Sequence, residues 1–261
     1  MEILSGLLVF FAGLWAGTIN SVVGSGTLVT FPVLIALGYA PVTATISNAM
    51  GLVAGNMTGA WGYRHELRGR GMQLLRLLPA SILGGITGAW LLLHLPEKVF
   101  YYVAPVLIVV ALLMVLFQPK LQLWVQNRAG NPKHAIHDKR HAATLVVLVY
   151  LAGIYGGYFV AAQGILLVGI LGVFMTGTIQ NANAMKNILV LAVNVVAACS
   201  YILFAFGRIE WPVVAVIAVS SMIGGFVGSK VGRRLKPLAL RIVIFALGVV
   251  ALGFMIANLL K

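Results

Sequence analysis

The chain carries little charge for its length, and almost none of that charge is acidic. Only 9% of its 261 residues are charged, with 5 Asp and Glu against 18 Lys and Arg, while 61% are apolar. No soluble domain of this size has such a composition. A lone cysteine, Cys199, excludes a disulfide within the chain. Because a lipid-exposed backbone must satisfy its own hydrogen bonds, the sequence predicts an all-α integral membrane protein.

Motifs for catalysis, metals and nucleic acid are also scarce. The basic residues lie between long apolar runs, where membrane proteins carry them in cytoplasmic loops, so the net charge of +13 does not indicate a nucleic-acid partner. We find no nucleophile–base arrangement, Walker loop or zinc motif, and we expect no enzyme activity, no cofactor and no metal. His134, His137, Asp138 and His141 cluster in one polar stretch, which we interpret as a solvated loop.

Eight apolar segments can be distinguished, four in each half of the chain. They cover residues 3–37, 41–62, 72–94, 99–118, 142–175, 179–206, 210–230 and 238–260. The six shorter ones have roughly the length that a helix needs to cross a bilayer. We therefore predict a first membrane repeat over residues 1–118, a cytoplasmic linker loop over 119–141 and a second membrane repeat over 142–261.

The two halves are related by an offset of about 140 residues. Gly13 and Gly17 correspond to Gly153 and Gly157, and Tyr63 corresponds to Tyr201 at an offset of 138. Glycines follow the same offset and predict close helix packing; they are Gly84, Gly85 and Gly88 with Gly224, Gly225 and Gly228, beside Gly232 and the run Gly51, Gly55, Gly59. Such a repeat indicates a duplicated membrane bundle.

The first segment of each half is too long for one crossing and is interrupted by small and polar residues. The first interruption covers Asn20–Thr27, and the second covers Gly156-Gly157 and then Ala161–Gly164. Each repeat is thus predicted to open with a broken or re-entrant helix, which membrane proteins tolerate only where it is buried in protein or lines a cavity.

The distribution of Lys and Arg discriminates between two topologies. With eight crossings the two sides hold 11 and 6 basic residues, and Lys186 lies inside a helix. With re-entrant hairpins and six crossings, only Lys98, Arg208 and Lys261 lie on one side, and the other 14 share the opposite side. The positive-inside rule favours the second arrangement, in which the two repeats are inverted.

The sixth segment carries a polar stripe around a lysine at membrane depth. Asn183, Lys186, Asn187 and Asn194 fall on one helical face. A lysine at the centre of a membrane helix costs about 2.5–3.5 kcal/mol on insertion scales, and the five acids lie in loops or near segment ends. Either Lys186 binds an anion, water or backbone carbonyls, or it extends to the membrane surface.

The interrupted segments supply further candidate ligands for an anion. Helix N-termini attract anions, and small residues stand where a second half-helix would begin. The predicted substrate site contains Asn20, Ser21, Gly24, Ser25, Gly26, Thr27, Thr45, Asn48, Gln163, Gly164, Asn183, Lys186 and Asn187. Close helix packing through the glycines is the alternative interpretation.

The sequence resembles the TauE/SafE family of sulfite and organosulfur anion exporters in residues 12–64, 78–96 and 207–235. The motifs in these ranges include AGTINSVVGSGTL, GGITG and GGFVGSKVG. The resemblance covers nearly the whole chain. Gly24-Ser25-Gly26 replaces the expected glycine run, and Ala162-Gln163-Gly164 contains still less glycine. The resemblance implies export of a small anion such as sulfite or an organosulfonate across a bacterial-type inner membrane.

Together these patterns predict a multi-pass secondary transporter whose partners are a small anion and the lipid bilayer. Alternating access would come from rocking one repeat or bundle against the other. A passive anion channel and a non-transporting membrane scaffold or sensor are the alternatives, and the oligomeric state is left open.

Overall fold

The computed structural model describes residues 2–129, 139–175, 178–231 and 237–259, and every regular element in these ranges is a helix. The helices are α1 (Ile3–Val22), α2 (Thr27–Ala36), α3 (Pro41–Gly62), α4 (Gly71–His94), α5 (Glu97–Ala129), α6 (Lys139–Tyr158), α7 (Gln163–Phe174), α8 (Ile179–Phe204), α9 (Trp211–Val231) and α10 (Pro237–Leu259). Short 3₁₀ turns at Arg64–Leu67 and Phe206–Arg208 join α3 to α4 and α8 to α9. The all-α prediction is confirmed.

Six helices in the described ranges are long and apolar enough to cross a membrane: α1, α4, α5, α6, α8 and α9. The 22-residue α3 is as long, but it carries several buried polar side chains. With 10 and 12 residues, α2 and α7 are too short to cross alone. The chain is thus a multi-pass membrane protein with two short helices inside it.

Both predicted interruptions are real, and the chain turns back at each. Gly26 packs against the carbonyl of Ala16, although ten residues of continuous helix would separate them by about 15 Å. The rings of His141 and Phe174, near the start of α6 and at the end of α7, lie 6.2 Å apart. The α6–α7 pair therefore begins and ends at the same end of the molecule, as a re-entrant hairpin does.

The second interruption is shorter than predicted and includes only Ala161 and Ala162 of the predicted residues. Gly156 and Gly157 lie inside α6, and the non-helical residues are 159–162. A Cβ on Gly157 would collide with the carbonyl of Gly85 in α4, so this glycine permits close helix packing.

Contacts between loops discriminate between the two topologies. Nη1 of Arg208 lies 3.7 Å from Oε1 of Glu97, and Nδ2 of Asn181 donates to the carbonyl of Glu66 at 2.7 Å. Eight crossings would put the members of each pair on opposite sides of the membrane. These contacts agree with the six-crossing arrangement, and the inversion of the two repeats stays a prediction.

The two halves interleave. Helix α9 packs against α1 and α3, whereas α4 packs against α6 and α8. Glycines permit both contacts: a Cβ on Gly17 or Gly55 would meet Ser221, and one on Gly84 would meet the carbonyl of Tyr150. The predicted packing role of the glycines at 84, 85, 88, 224, 225 and 228 is confirmed, while Gly232 lies outside the described residues. Each three-helix bundle combines two helices of one half with one of the other.

The segment between the repeats is partly helical. Helix α5 continues past Pro119 to Ala129, and α6 begins at Lys139. Residues 130–138, with His134, His137 and Asp138, lie outside the described residues. The cytoplasmic linker over 119–141 stays a prediction, with helical residues at both of its ends.

Orientation in the bilayer can be tested by cysteine labelling in a Cys199→Ser background. We expect Leu95→Cys and Gly207→Cys to react with a membrane-impermeant maleimide from outside the cell. His65→Cys should react only after permeabilisation, because its loop carries much of the basic charge. All three positions are exposed, so accessibility in the fold does not bias the comparison. If only position 65 is labelled in intact cells, the protein has the opposite orientation to the one predicted.

Candidate functional site

The two interrupted segments touch each other inside the protein. The backbone N–H of Gly164 donates to the carbonyl of Gly24 at 3.2 Å. Gly24 has a φ of +87°, and a Cβ on it would lie 2.6 Å from Cα of Gly164. No side chain fits between the two turns, so this junction requires glycine on both sides.

Lys186 reaches this junction from α8. Its side chain is 1% exposed, and Nζ donates to the carbonyls of Asn20 at 3.0 Å and Ser21 at 3.4 Å. These carbonyls belong to the last turn of α1, where the helix dipole favours a cation. The ammonium is held inside the protein, so the interpretation that it extends to the membrane surface is wrong for this state.

No carboxylate among the described residues forms an ion pair with this ammonium. The described residues include an ion pair between Arg208 and Glu97, and it lies in the loops at one end of the molecule. An ammonium has three N–H donors, and two of those of Lys186 are directed at backbone carbonyls. One donor and the net positive charge are left to interact with a ligand.

The polar side chains around the first turn bond to each other. Nδ2 of Asn20 donates to Oδ1 of Asn56 at 2.5 Å, and Oδ1 of Asn20 accepts from the backbone N–H of Gly26 at 3.4 Å. Nδ2 of Asn48 donates to Oγ1 of Thr27, the first residue of α2, at 3.3 Å. Four predicted site residues, Asn20, Gly26, Thr27 and Asn48, are thus hydrogen-bonded at the turn in two groups, and Asn56 belongs to the first of them.

The side chains of three predicted site residues are not clearly directed at the junction of the turns. Oγ1 of Thr45 donates to the carbonyl of Pro41, and Oγ of Ser21 donates to the carbonyls of Gly17 and Gly225. Both hydroxyls are therefore engaged with helix backbone, and Ser21 offers Lys186 its carbonyl instead. Asn183 is only half-buried. Their participation in the site stays a prediction.

Several buried polar atoms near the turns have no hydrogen-bond partner among the described residues. They include Oγ of Ser25, Oδ1 of Asn48, Nδ2 of Asn56, Nδ2 of Asn187, and both amide atoms of Gln163 and Asn194. Most buried polar atoms in proteins are paired, because leaving one unpaired costs about 1–3 kcal/mol. The region around the turns thus has hydrogen-bonding capacity that a polar ligand or ordered water would fill.

Comparison with known proteins identifies the family. The family model "Sulfite exporter TauE/SafE" matches residues 9–255. The "Probable membrane transporter protein YfcA" of Escherichia coli K12 is 25% identical over 87% of this chain and 79% of its own length. A "Probable membrane transporter protein ORF9" of a Sinorhizobium species is 26% identical over 88% of this chain and 85% of its own. No solved structure matches the chain.

These relatives are bacterial membrane transporters rather than enzymes, which agrees with the expected location in a bacterial inner membrane. The family match extends across both repeats and includes both turns and Lys186. The chain therefore belongs to the TauE/SafE family and is a multi-pass membrane transporter.

Proposed function

We propose that this transporter exports a small sulfur-containing anion, such as sulfite or an organosulfonate, through a site at the junction of the two turns. The description of the family names sulfite, which supports this class of substrate. The main observation is Lys186: a cation that is 1% exposed, has no carboxylate partner in the described chain and lies between two interrupted helices. A bound anion would balance its charge and offset its desolvation.

Within this site the residues have different roles. Lys186 supplies charge, and the side chains of Asn20, Asn48, Gln163 and Asn187 supply hydrogen bonds. The backbone of Gly24, Ser25, Gly26, Thr27 and Gly164 approaches the anion where α2 and α7 begin, and their helix dipoles favour negative charge there. Ser21, Thr45 and Asn183 border this set.

Alternating access would involve the interleaved bundles rather than the two halves of the sequence. One bundle is α1, α3 and α9, and the other is α4, α6 and α8. Lys186 joins them, because it belongs to α8 and bonds to the end of α1. An anion that competes with these carbonyls for the ammonium would weaken the link, so binding would favour rocking of one bundle against the other.

Sulfite flux in proteoliposomes tests this function. We expect saturable uptake and counterflow, in which unlabelled sulfite inside the vesicle accelerates entry of labelled sulfite. Ethanesulfonate should compete if the site accepts organosulfonates, and protein-free vesicles give the background. Flux without saturation or counterflow would indicate a channel. Sulfite binding without flux would indicate a sensor.

A further inference from the structure

Equivalent asparagines in the two halves have different surroundings. Asn56 of α3 and Asn194 of α8 are 138 residues apart, the offset that also relates Tyr63 to Tyr201. Asn56 accepts a hydrogen bond from Asn20 at the first turn. At the offset of 140 that relates the turns, the counterpart of Asn20 is Val160, which has no polar side-chain atom. Asn194 therefore lacks the partner that Asn56 has.

Asn194 is fully buried, and neither of its amide atoms has a partner among the described residues. The face of α8 that carries Asn194 lies against the end of α6, as the bond made by Tyr201, seven residues later on this face, shows. The hydroxyl of Tyr201 donates at 3.0 Å to the carbonyl of Gly157, three residues before Val160. Asn187, seven residues before Asn194, lies on this face too, and its Nδ2 is also unpaired.

The second turn differs from the first in its own bonding as well. Gln163, at the start of α7, is 0% exposed, and both of its amide atoms are unpaired. Val160 and Ala162 have φ values of +67° and +59°, which are unfavourable for residues other than glycine, above all for a β-branched one. Unpaired side-chain amides and a strained backbone thus coincide at the second turn. At the first turn both amide atoms of Asn20 are paired, although Oγ of Ser25, Oδ1 of Asn48 and Nδ2 of Asn56 are not.

We propose that Asn194 is a ligand of the transported anion, which lies against the second turn in contact with the amides of Asn194, Asn187 and Gln163. The first turn, which holds Lys186 through the carbonyls of Asn20 and Ser21, then forms the opposite side of the same site. Amide N–H groups would donate to the oxygens of an oxyanion, and the amide oxygens would accept from water or from a protonated oxygen of the anion. This inference rests on the proposed function. It adds Asn194 to the proposed site and places the anion against the second turn.

The variants Asn194→Leu and Asn56→Leu form a matched pair. Leucine has a shape close to that of asparagine, so Asn194→Leu should remove unpaired groups without leaving a cavity. Without sulfite we expect its thermal unfolding midpoint to rise by about 2–4 °C. Asn56→Leu should lower the midpoint, because it leaves the part-buried amide of Asn20 without its partner. In proteoliposomes Asn194→Leu should raise the KM for sulfite about tenfold or more, as expected for a lost hydrogen bond to an anion.

The inference fails if Asn194→Leu destabilises the protein as Asn56→Leu does, since the amide would then have a structural partner such as a buried water. It also fails if Asn194→Leu is stabilised but keeps the wild-type KM for sulfite. A wild-type protein that moves no sulfite argues against the proposed substrate alone. The opposite stability shifts of the two variants would then still decide whether Asn194 is an unpaired group that awaits a ligand.

Discussion

Lys186→Ala should abolish sulfite transport and sulfite binding. Lys186 is the one charged residue that is buried in the described chain, and it lies where the two interrupted helices meet. A hydrogen bond to a charged group contributes about 1.5–3 kcal/mol, and loss of the charge itself adds to this in a buried site. We therefore expect affinity for sulfite to fall at least about a hundredfold.

The same variant should still fold, because two effects on stability oppose each other. Removing a buried ammonium relieves the cost of its desolvation in the unliganded protein. It also leaves the carbonyls of Asn20 and Ser21, in the last turn of α1, without their donor. We expect the unfolding midpoint without sulfite to stay near that of the wild type, so lost transport would not reflect lost structure.

Two further substitutions separate charge from shape. Lys186→Met keeps a long flexible side chain without charge and should behave like Lys186→Ala. Lys186→Arg keeps the charge but should bind poorly, because the planar guanidinium is larger and Gly164 packs close to Cδ of the lysine. The measurements are the sulfite-dependent rise in unfolding midpoint and the flux. Wild-type sulfite affinity in Lys186→Ala would show that the lysine only caps α1.

The helices and their number followed from hydropathy and charge, because a bilayer constrains both strongly. Small residues inside an apolar run predicted an interruption over Asn20–Thr27, and α2 begins at Thr27. The excess of basic residues on one side favoured six crossings. The contact between Glu97 and Arg208 later agreed with that choice. Because these properties depend on local sequence, they can be predicted from a single sequence.

The partners of the site residues could not be predicted in the same way. Lys186 bonds to carbonyls more than 160 positions earlier, and no side-chain pattern identifies a backbone acceptor. Gly156 and Gly157 were wrongly assigned to the second interruption, because such a pair is as typical of close packing inside a helix as of a break. The difference between Asn56 and Asn194 becomes clear only when the two repeats are aligned, because the counterpart of Asn20 in the second repeat is Val160.

Gly24→Leu should also abolish transport, and glycine at position 38 provides a control for the backbone. Gly24 and Gly38 have nearly the same φ, +87° and +88°, so a substitution at either costs about 1–2 kcal/mol in backbone strain. Their surroundings differ: a Cβ at position 24 would lie 2.6 Å from Cα of Gly164, whereas nothing lies within 4 Å of one at position 38.

The effect of backbone strain on sulfite flux can therefore be separated from the effect of disrupting the junction of the turns. Gly38→Ala should keep sulfite flux near the wild-type value with a modest loss of stability. Gly24→Ala should lose most of its flux, because even a methyl group must push the two turns apart and break the bond from Gly164 to Gly24. Gly24→Leu should lose all flux while its insertion into the membrane, measured as yield of monodisperse protein, falls less. Equal flux in Gly24→Ala and Gly38→Ala would mean that the turns need not touch for transport, and full activity in Gly24→Leu would remove the first turn from the site.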